Sequence, residues 1–313
     1  MIKLSIVIPC YRSEKTIEKV VNDVNNTLQT MQDIEWEFVL VNDGSPDNTF
    51  DAISNLCKTH NNIYGINLAR NFGQHAALMA GLREATGDII MCMDDDGQTP
   101  AEAIPDFIEA IEAGSDVVYA HYANKKHSSF RNFGSKINEL MTRMMLNKPK
   151  ELAVSSYFAA KRFVIEEVIK YQNPYPYIIG LVLRTTKKIK NIEVNHRERE
   201  VGESGYTIKK LFGLWFNGFT AFSIQPLRIA TMIGIFCAMA GFSYGIYTII
   251  KRFVRPDVPV GFSALMSVMV FMGGIIMLIL GLIGEYVGRI YICMNNSPQY
   301  VVRQIIGPED DKE

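Results

Sequence analysis

The 313-residue sequence predicts an α/β fold: a doubly wound, mostly parallel sheet, then an amphipathic helix and a pair of membrane-spanning helices. Three observations carry that prediction. Over the first ~120 residues, short apolar runs ending in polar turns alternate with helical periodicities, the pattern of parallel strands joined by right-handed crossovers. An aromatic stripe flanked by lysines occupies residues 206–222. Beyond it, residues 229–250 and 258–284 form runs of 22 and 27 residues without a charge.

Residues 4–8 read as the first strand, ended by Pro9. Ser13 or Glu14 opens a helix with Ile17, Val20, Val21 and Val24 on one face. Residues 36–41 form the second strand and run into Asn42-Asp43-Gly44-Ser45-Pro46-Asp47, a turn rich in carboxylate and glycine. Residues 63–68 form the third, closed by Ala69-Arg70-Asn71-Phe72-Gly73-Gln74-His75, and a small-residue helix follows over 76–85. Residues 88–93 are short, nearly continuous and apolar, as a strand buried on both faces should be. Residues 117–120 make a fifth strand.

The fourth strand ends in Asp94-Asp95-Asp96-Gly97-Gln98. Three adjacent carboxylates repel one another unless a cation sits among them. Open α/β sheets bind ligands beyond the carboxyl ends of their strands. A hard divalent cation, Mg²⁺ or Mn²⁺, carrying a diphosphate suits such a place. A solvated turn ahead of the helix near Pro100 is the alternative. Neither a G-x-G-x-x-G after the first strand nor a P-loop is present, so dehydrogenase and P-loop nucleotide sites are disfavoured.

Composition narrows the class. A net charge of −1 argues against nucleic acid as a partner. Five scattered cysteines fit reduced thiols in a cytosol, and five histidines form no metal-ligand pattern. The first apolar run is too short for a signal peptide. Each uncharged C-terminal run is long enough to cross ~30 Å of hydrocarbon, with spans expected near 229–250 and 260–284. Gly241 and Gly245, then Gly284 and Gly288, have spacings that allow close helix approach. Lys251, Arg252 and Arg255 in the connecting loop favour an inside loop, whereas Arg228, Arg289 and Arg303 favour inside termini. The N-terminal domain is expected in the cytosol with its thiols. Ile208, Leu211, Phe212, Trp215, Phe216, Phe219 and Phe222 give residues 206–226 the profile of a helix lying in the membrane interface.

Ile8-Pro9-Cys10-Tyr11, Val41-Asn42-Asp43-Gly44-Ser45, residues 70–81 and Asp94-Asp95-Asp96-Gly97-Gln98 resemble the GT-A domain of family-two glycosyltransferases. Residues 196–206, the two spans, and Gly284-Glu285-Tyr286-Val287-Gly288-Arg289-Ile290-Tyr291 extend the likeness over nearly the whole chain. It is similar to the polyprenyl-phosphate glycosyltransferases, a group that includes dolichol-phosphate mannose synthase and the bactoprenol glucosyl and undecaprenyl-phosphate aminoarabinose enzymes. The resemblance implies a catalytic domain over 1–205, an interfacial helix over 206–226, two membrane helices within 227–288 and a cytosolic tail over 289–313.

The resemblance also implies roles. Pro9, Tyr11, Glu14, Asp43 and Arg70 would hold the nucleotide sugar together with Asp94, Asp95 and Gln98; Asp94 and Asp96, with Gln98 alongside, would bind the metal. Asp95 stands where relatives usually have Ala and is expected to face solvent, a second cation being the alternative. Arg12 replaces an Asn common in relatives, and Gly205 a Lys. Arg131 and Arg199, with Ser135, Arg197 and Ser204, would hold an acceptor phosphate, and Lys209 is a further candidate. Arginine suits that task by bidentate contact. Alternatively, Arg131 is a solvated charge opening a helix to about Leu146, and Arg199 lies on an exposed strand of paired charges. His75 either touches a diphosphate or satisfies a local hydrogen bond.

The expected activity is inverting, metal-dependent transfer of one sugar from a nucleotide sugar, a UDP-sugar, to polyprenyl (undecaprenyl) phosphate for cell-envelope modification. Its place would be a bacterial inner membrane, with the catalytic domain in the cytosol and a homo-oligomer, as in tetrameric relatives. Transfer to another lipid such as diacylglycerol, or a degenerate membrane scaffold, are the alternatives. Only two spans are available, which disfavours processive synthesis through a channel.

Overall fold

The computed structural model describes residues 1–122, 152–194, 225–254, 261–295 and 297–307. The chain divides into two compact units, Met1–Thr207 with Asn296–Glu313, and Ile208–Asn295.

In the first unit, β1 (Ile2–Cys10), α1 (Ile17–Leu28), β2 (Ile34–Asn42), α2 (Thr49–Thr59), β3 (Ile63–Leu68), α3 (Gln74–Glu84) and β4 (Ile89–Cys92) alternate along the chain. A 3₁₀ turn then leads into α4 (Ile104–Glu112) and β5 (Val117–Tyr122). After the next described segment begins come β6 (Phe158–Lys161), α5 (Arg162–Ile169), α6 (Ile178–Thr185) and β7 (Ile189–Val194), and the tail supplies β8 (Val302–Ile306). Among the described residues these strands form one sheet in the order β7-β5-β6-β4-β1-β2-β3-β8. β1 pairs in parallel with β2 and β4, β2 with β3, and β5 with β7. β6 runs antiparallel between β4 and β5, and β8 antiparallel to β3. The sheet is therefore mostly parallel, as expected, but β6 interrupts the parallel run and the tail is a strand.

Both faces are covered at the carboxyl-terminal halves of β1 and β2, which is why residues 6–8 and 38–41 are apolar without alternation. Leu4, Ile6, Ile8, Phe38, Leu40 and Met91 join the core shared with α1 and α4, where Ile17, Val20, Val21, Val24 and Leu28 form one stripe of α1. On the other face α3 lies close enough that a Cβ at Gly81 would be 2.4 Å from Val7 Cγ1. At the amino-terminal ends of the strands, buried Glu37 accepts from Ser5 Oγ at 2.6 Å and Thr86 N at 2.7 Å and pairs with Lys3 at 3.0 Å. Burial alone would raise its pKa, but these donors outweigh it and hold the carboxyl below its ordinary value.

Two boundaries differ from the sequence reading. Pro9 lies inside β1, paired with Val41, rather than ending it. Val7, two residues earlier, points its carbonyl to Met93, where the β4 pairing stops, so the missing N–H of Pro9 faces a side with no partner strand. α1 starts at Ile17 because residues 13–16 are a turn, with Thr16 N and Ile17 N donating to Ser13 O.

In the second unit, α7 (Gln225–Val254) and α8 (Phe262–Met294) contain apolar stretches over Ala230–Tyr247 and Phe271–Met294. Almost none of their residues is buried: Met232, Phe236, Phe242 and Met277 are each about seven-tenths exposed. A core helix of a soluble protein would hide such side chains, whereas hydrocarbon is a suitable solvent for them. α8 continues ten residues past the expected end of the second span, through Glu285 to Met294. Most of the expected interfacial helix, residues 206–224, lies outside the described residues.

Candidate functional site

The carboxyl ends of β1, β2, β3 and β4 are drawn together by side chains in the turns that follow them. β1 passes into Tyr11 and Arg12, whose φ of +61° puts a non-glycine residue in the left-handed region. β2 ends at Asn42, which donates to Asn67 of β3 at 2.9 Å and accepts from Ser45 N at 3.2 Å, fixing the turn. Next to it, buried Asp43 accepts from Phe72 N at 2.7 Å and from Gly73 N at 2.9 Å. One carboxylate thereby shapes the loop after β3. Burial raises the Asp43 pKa, and the two N–H donors pull against that rise. Gly44 has φ +58°, and a Cβ there would lie 2.3 Å from the carbonyl carbon of Arg70, so the two turns touch backbone to backbone.

The acid triplet ending β4 separates into three environments. Asp94 accepts from Gln74 Nε2 at 2.9 Å on Oδ1 and from Ser156 Oγ on Oδ2. Burial pushes its pKa up to about 6, the negative charges of Asp96 and Asp95 push the same way, and the two hydrogen bonds oppose them. Asp95 is not a solvent-facing extra, as the sequence suggested. It turns back to β1 and accepts from Tyr11 N at 2.9 Å and from Ser13 Oγ, with its pKa raised mainly by burial. Asp96 accepts from Gln98 N at 3.1 Å, a fold-back that Gly97 permits with φ +72°. At the end of β5, Tyr122 has its hydroxyl pKa raised by burial and then by the charges of Asp94 and Asp96.

Of the expected nucleotide-sugar residues, Tyr11, Asp43, Arg70, Asp94, Asp95 and Gln98 come to this strand-end face. Pro9 is buried within β1. Tyr11 is 44% exposed, with the Arg12 guanidinium 5.5 Å from its ring centroid. Arg70 is exposed and lies over the Phe72 ring at 4.7 Å. Glu14 lies beside the same turns, accepting from Asn48 Nδ2 at 3.2 Å where α2 begins after the carboxyl end of β2. Arg131, Ser135, Arg197, Arg199, Ser204 and Lys209 lie outside the described residues. Sequence reasoning missed Gln74, Ser156, Ser13 and Tyr122. Gln74 stood inside the 70–81 motif, but nothing in the sequence marked Ser156. His75 packs edge-on against Tyr177 at 5.2 Å, and burial pushes its pKa down to about 4. A separate hollow lined by Ile2, Asp88, Ile111 and Phe163 lies at the opposite ends of the strands and contains none of these residues.

Among the described residues, no three His, Cys, Asp or Glu side chains are gathered as a self-sufficient metal cage. The donor set is still compatible with a hard divalent cation, since Mg²⁺ sites use one or two carboxylates and leave the remaining positions to phosphate and water.

Comparison with known proteins agrees with this architecture. The model for Glycosyl transferase family 2 matches residues 5–169, and that for the GtrB C-terminal hairpin matches residues 225–290. The chain is 31% identical over 312 residues to the undecaprenyl-phosphate 4-deoxy-4-formamido-L-arabinose transferase of Proteus mirabilis, covering 97% of this chain and 94% of that protein. The protein of the same name from Yersinia enterocolitica is 31% identical over 316 residues, covering 98% and 94%. Among solved structures, glucosyl-3-phosphoglycerate synthase of Mycobacterium tuberculosis, crystallised with Mn²⁺, uridine diphosphate and phosphoglyceric acid, matches with a TM-score of 0.54 at 16% identity, over 70% of this chain and 76% of that one. At that identity the likeness speaks for the GT-A fold alone.

Proposed function

The chain belongs to glycosyl transferase family 2, and from that premise we propose that it moves one sugar from a nucleotide sugar, a UDP-sugar, to undecaprenyl phosphate. The setting we propose is the cytosolic face of a bacterial inner membrane. The observation that carries the reading is Asp94, held by Gln74 and Ser156 at the strand-end face of a chain that also bears two exposed apolar helices. Soluble acceptors would leave those helices without a purpose, whereas a polyprenyl phosphate presents its charge at a membrane surface.

The chemistry asks little of a general base. The acceptor phosphate is an anion at neutral pH, so its oxygen attacks the anomeric carbon without losing a proton. A new C–O bond forms on one face as the bond to UDP breaks on the other, UDP leaves with the bonding electrons, and the anomeric centre inverts. The costly parts are the negative charge growing on the leaving diphosphate and the approach of two anions. Asp94 and Asp96, with Gln98, are the residues that would hold Mg²⁺ or Mn²⁺, which when bound supplies positive charge against that diphosphate. Tyr11, Arg70 and the loop closed by Asp43 would flank the nucleotide. Arg131 and Arg199, with Ser135, Arg197 and Ser204, are the proposed contacts of the acceptor phosphate.

The test is a competition between acceptors. The full chain in detergent, given labelled UDP-sugars and either undecaprenyl phosphate or diacylglycerol, should label only the phosphate lipid. Label in diacylglycerol alone would overturn the acceptor assignment.

A further inference from the structure

The tail after α8 is fastened to the loop that follows β3. Gln299 is buried, donating both amide protons, to Tyr171 O and Asn173 O at 2.8 Å each, and accepting from Arg83 at 3.4 Å. Arg83 also donates to the Tyr300 hydroxyl at 2.9 Å and lies over its ring at 5.3 Å. Both backbone polar groups of Ala69 are then taken by the tail: its N–H donates to Val301 O at 2.8 Å, and its carbonyl accepts from Arg303 at 3.1 Å. β8 continues along β3 with Leu68 opposite Val302 and Gly65 opposite Ile306, across an irregularity between Asn67 and Leu68. Two glycines make room for it, because a Cβ at Gly65 would lie 2.8 Å from Ile306 and one at Gly307 would lie 2.8 Å from Tyr64.

What the tail contributes is not mainly core. Val301, Val302 and Ile305 stay 44%, 37% and 50% exposed, so little apolar area is hidden. Two of its bonds close on Ala69, the root of the loop carrying Arg70, Phe72, Gly73 and Gln74, while Gln299 and Tyr300 tie it to Arg83 of α3 and to the chain that follows α5. That loop is held at its middle by Asp43 and at its far end by the Gln74–Asp94 bond. The tail is the third fixed point. Without it β3 would present an open ladder edge, and Ala69 would exchange two protein partners for water.

We infer that residues 297–306 are a positioning element of the nucleotide site, with Arg303 acting on the donor through loop 69–74 and Gln299 anchoring the tail that carries Arg303. This rests on the proposed function, in which that loop flanks the nucleotide. It assigns a role in donor binding to a segment far outside the matched catalytic region, residues 5–169.

The test uses the full chain in detergent with Mn²⁺ and UDP, read by calorimetry, and donor kinetics in parallel. Gln299→Ala and Arg303→Ala should each weaken UDP binding about fivefold, the size of one or two lost hydrogen bonds. Donor KM should rise by a similar factor while kcat at saturating donor stays within about twofold. Arg303→Lys should recover most of the loss. In a chain ending at Asn296, UDP binding should fall further and be restored by adding a peptide of residues 297–307. Unchanged UDP affinity in both point variants overturns the inference and leaves the proposed function intact. So does a loss in which melting temperature and kcat fall together and neither lysine nor peptide restores binding. If the unaltered chain binds no nucleotide, the proposed function fails and this inference falls with it.

Discussion

Gln74 and Asp94, twenty residues apart in sequence, are joined by a 2.9 Å bond from the Gln74 amide to Asp94 Oδ1, while Ser156 donates to the other carboxylate oxygen. The carboxylate is thus fixed from α3 on one side and from the segment entering β6 on the other. A hydrogen bond to a charged group contributes about 1.5–3 kcal/mol. Gln74→Ala should therefore lower kcat/KM by roughly tenfold or more, with Ser156→Ala similar. Because both act on one carboxylate, the double variant should lose less than the product of the single losses in steady-state kinetics.

Asp43 accepts two backbone N–H groups in a buried position, so Asp43→Ala strands both donors. Each stranded donor costs about 1–3 kcal/mol. Thermal melting should show a drop of several degrees, and the KM for the donor should rise because loop 69–74 loses its anchor. Asp43→Asn, which keeps one acceptor oxygen, should fall between Asp43→Ala and the unaltered protein.

Gly44 meets the backbone of Arg70 with no space for a methyl group and sits at φ +58°. Gly44→Ala should destabilise the protein by about 2 kcal/mol or more, by strain and by separating the two turns. Equilibrium denaturation would register the first effect and UDP titration the second. Gly97→Ala has open space around the new methyl and pays only the φ cost, so its stability loss should be the smaller.

The parts of this fold that the sequence announced are those whose burial forces a pattern. The carboxyl-terminal halves of β1 and β2 and the whole of β4 are covered on both faces and so are apolar with little alternation, and the turns after them need glycine or a short carboxylate where the backbone bends back. β6 has only four residues and runs straight into α5, too little chain for a period to show. β8 is mostly exposed and reads Val-Arg-Gln-Ile-Ile; its place comes from pairing with β3, which no local pattern encodes. The three acids look equivalent in sequence. A strand end points successive side chains to opposite sides, which is why Asp95 turns to β1 while Asp94 meets Gln74 and Ser156. Ser156 belongs to the site only through tertiary contact, and one serine among many gives no signal.

His75 supplies a pH dependence. Its imidazole has an ordinary pKa of 6.5 and is pushed down to about 4 by burial, with Nδ1 left without a partner among the described residues. Between those values the unfolded chain takes up a proton that the folded chain does not. Stability should therefore fall as pH drops from about 6.5 to 4, by up to about 3 kcal/mol from this residue. His75→Phe keeps an aromatic ring against Tyr177 without the titrating group. On acidification across that range the variant should lose less stability in melting curves than the unaltered chain, while Asp94, with its pKa raised to about 6, contributes the opposite slope in both.

The most direct test of the central claim is the mass of the lipid product. The purified chain in detergent would be given undecaprenyl phosphate, Mn²⁺ or Mg²⁺, and a panel of nucleotide sugars that includes UDP-4-deoxy-4-formamido-arabinose. With one donor, the lipid phosphate should gain the mass of a single sugar, and the gain should vanish with EDTA and in Asp96→Asn. Undecaprenyl phosphate that gains no mass with any donor, or gains it equally in Asp96→Asn, would contradict the account.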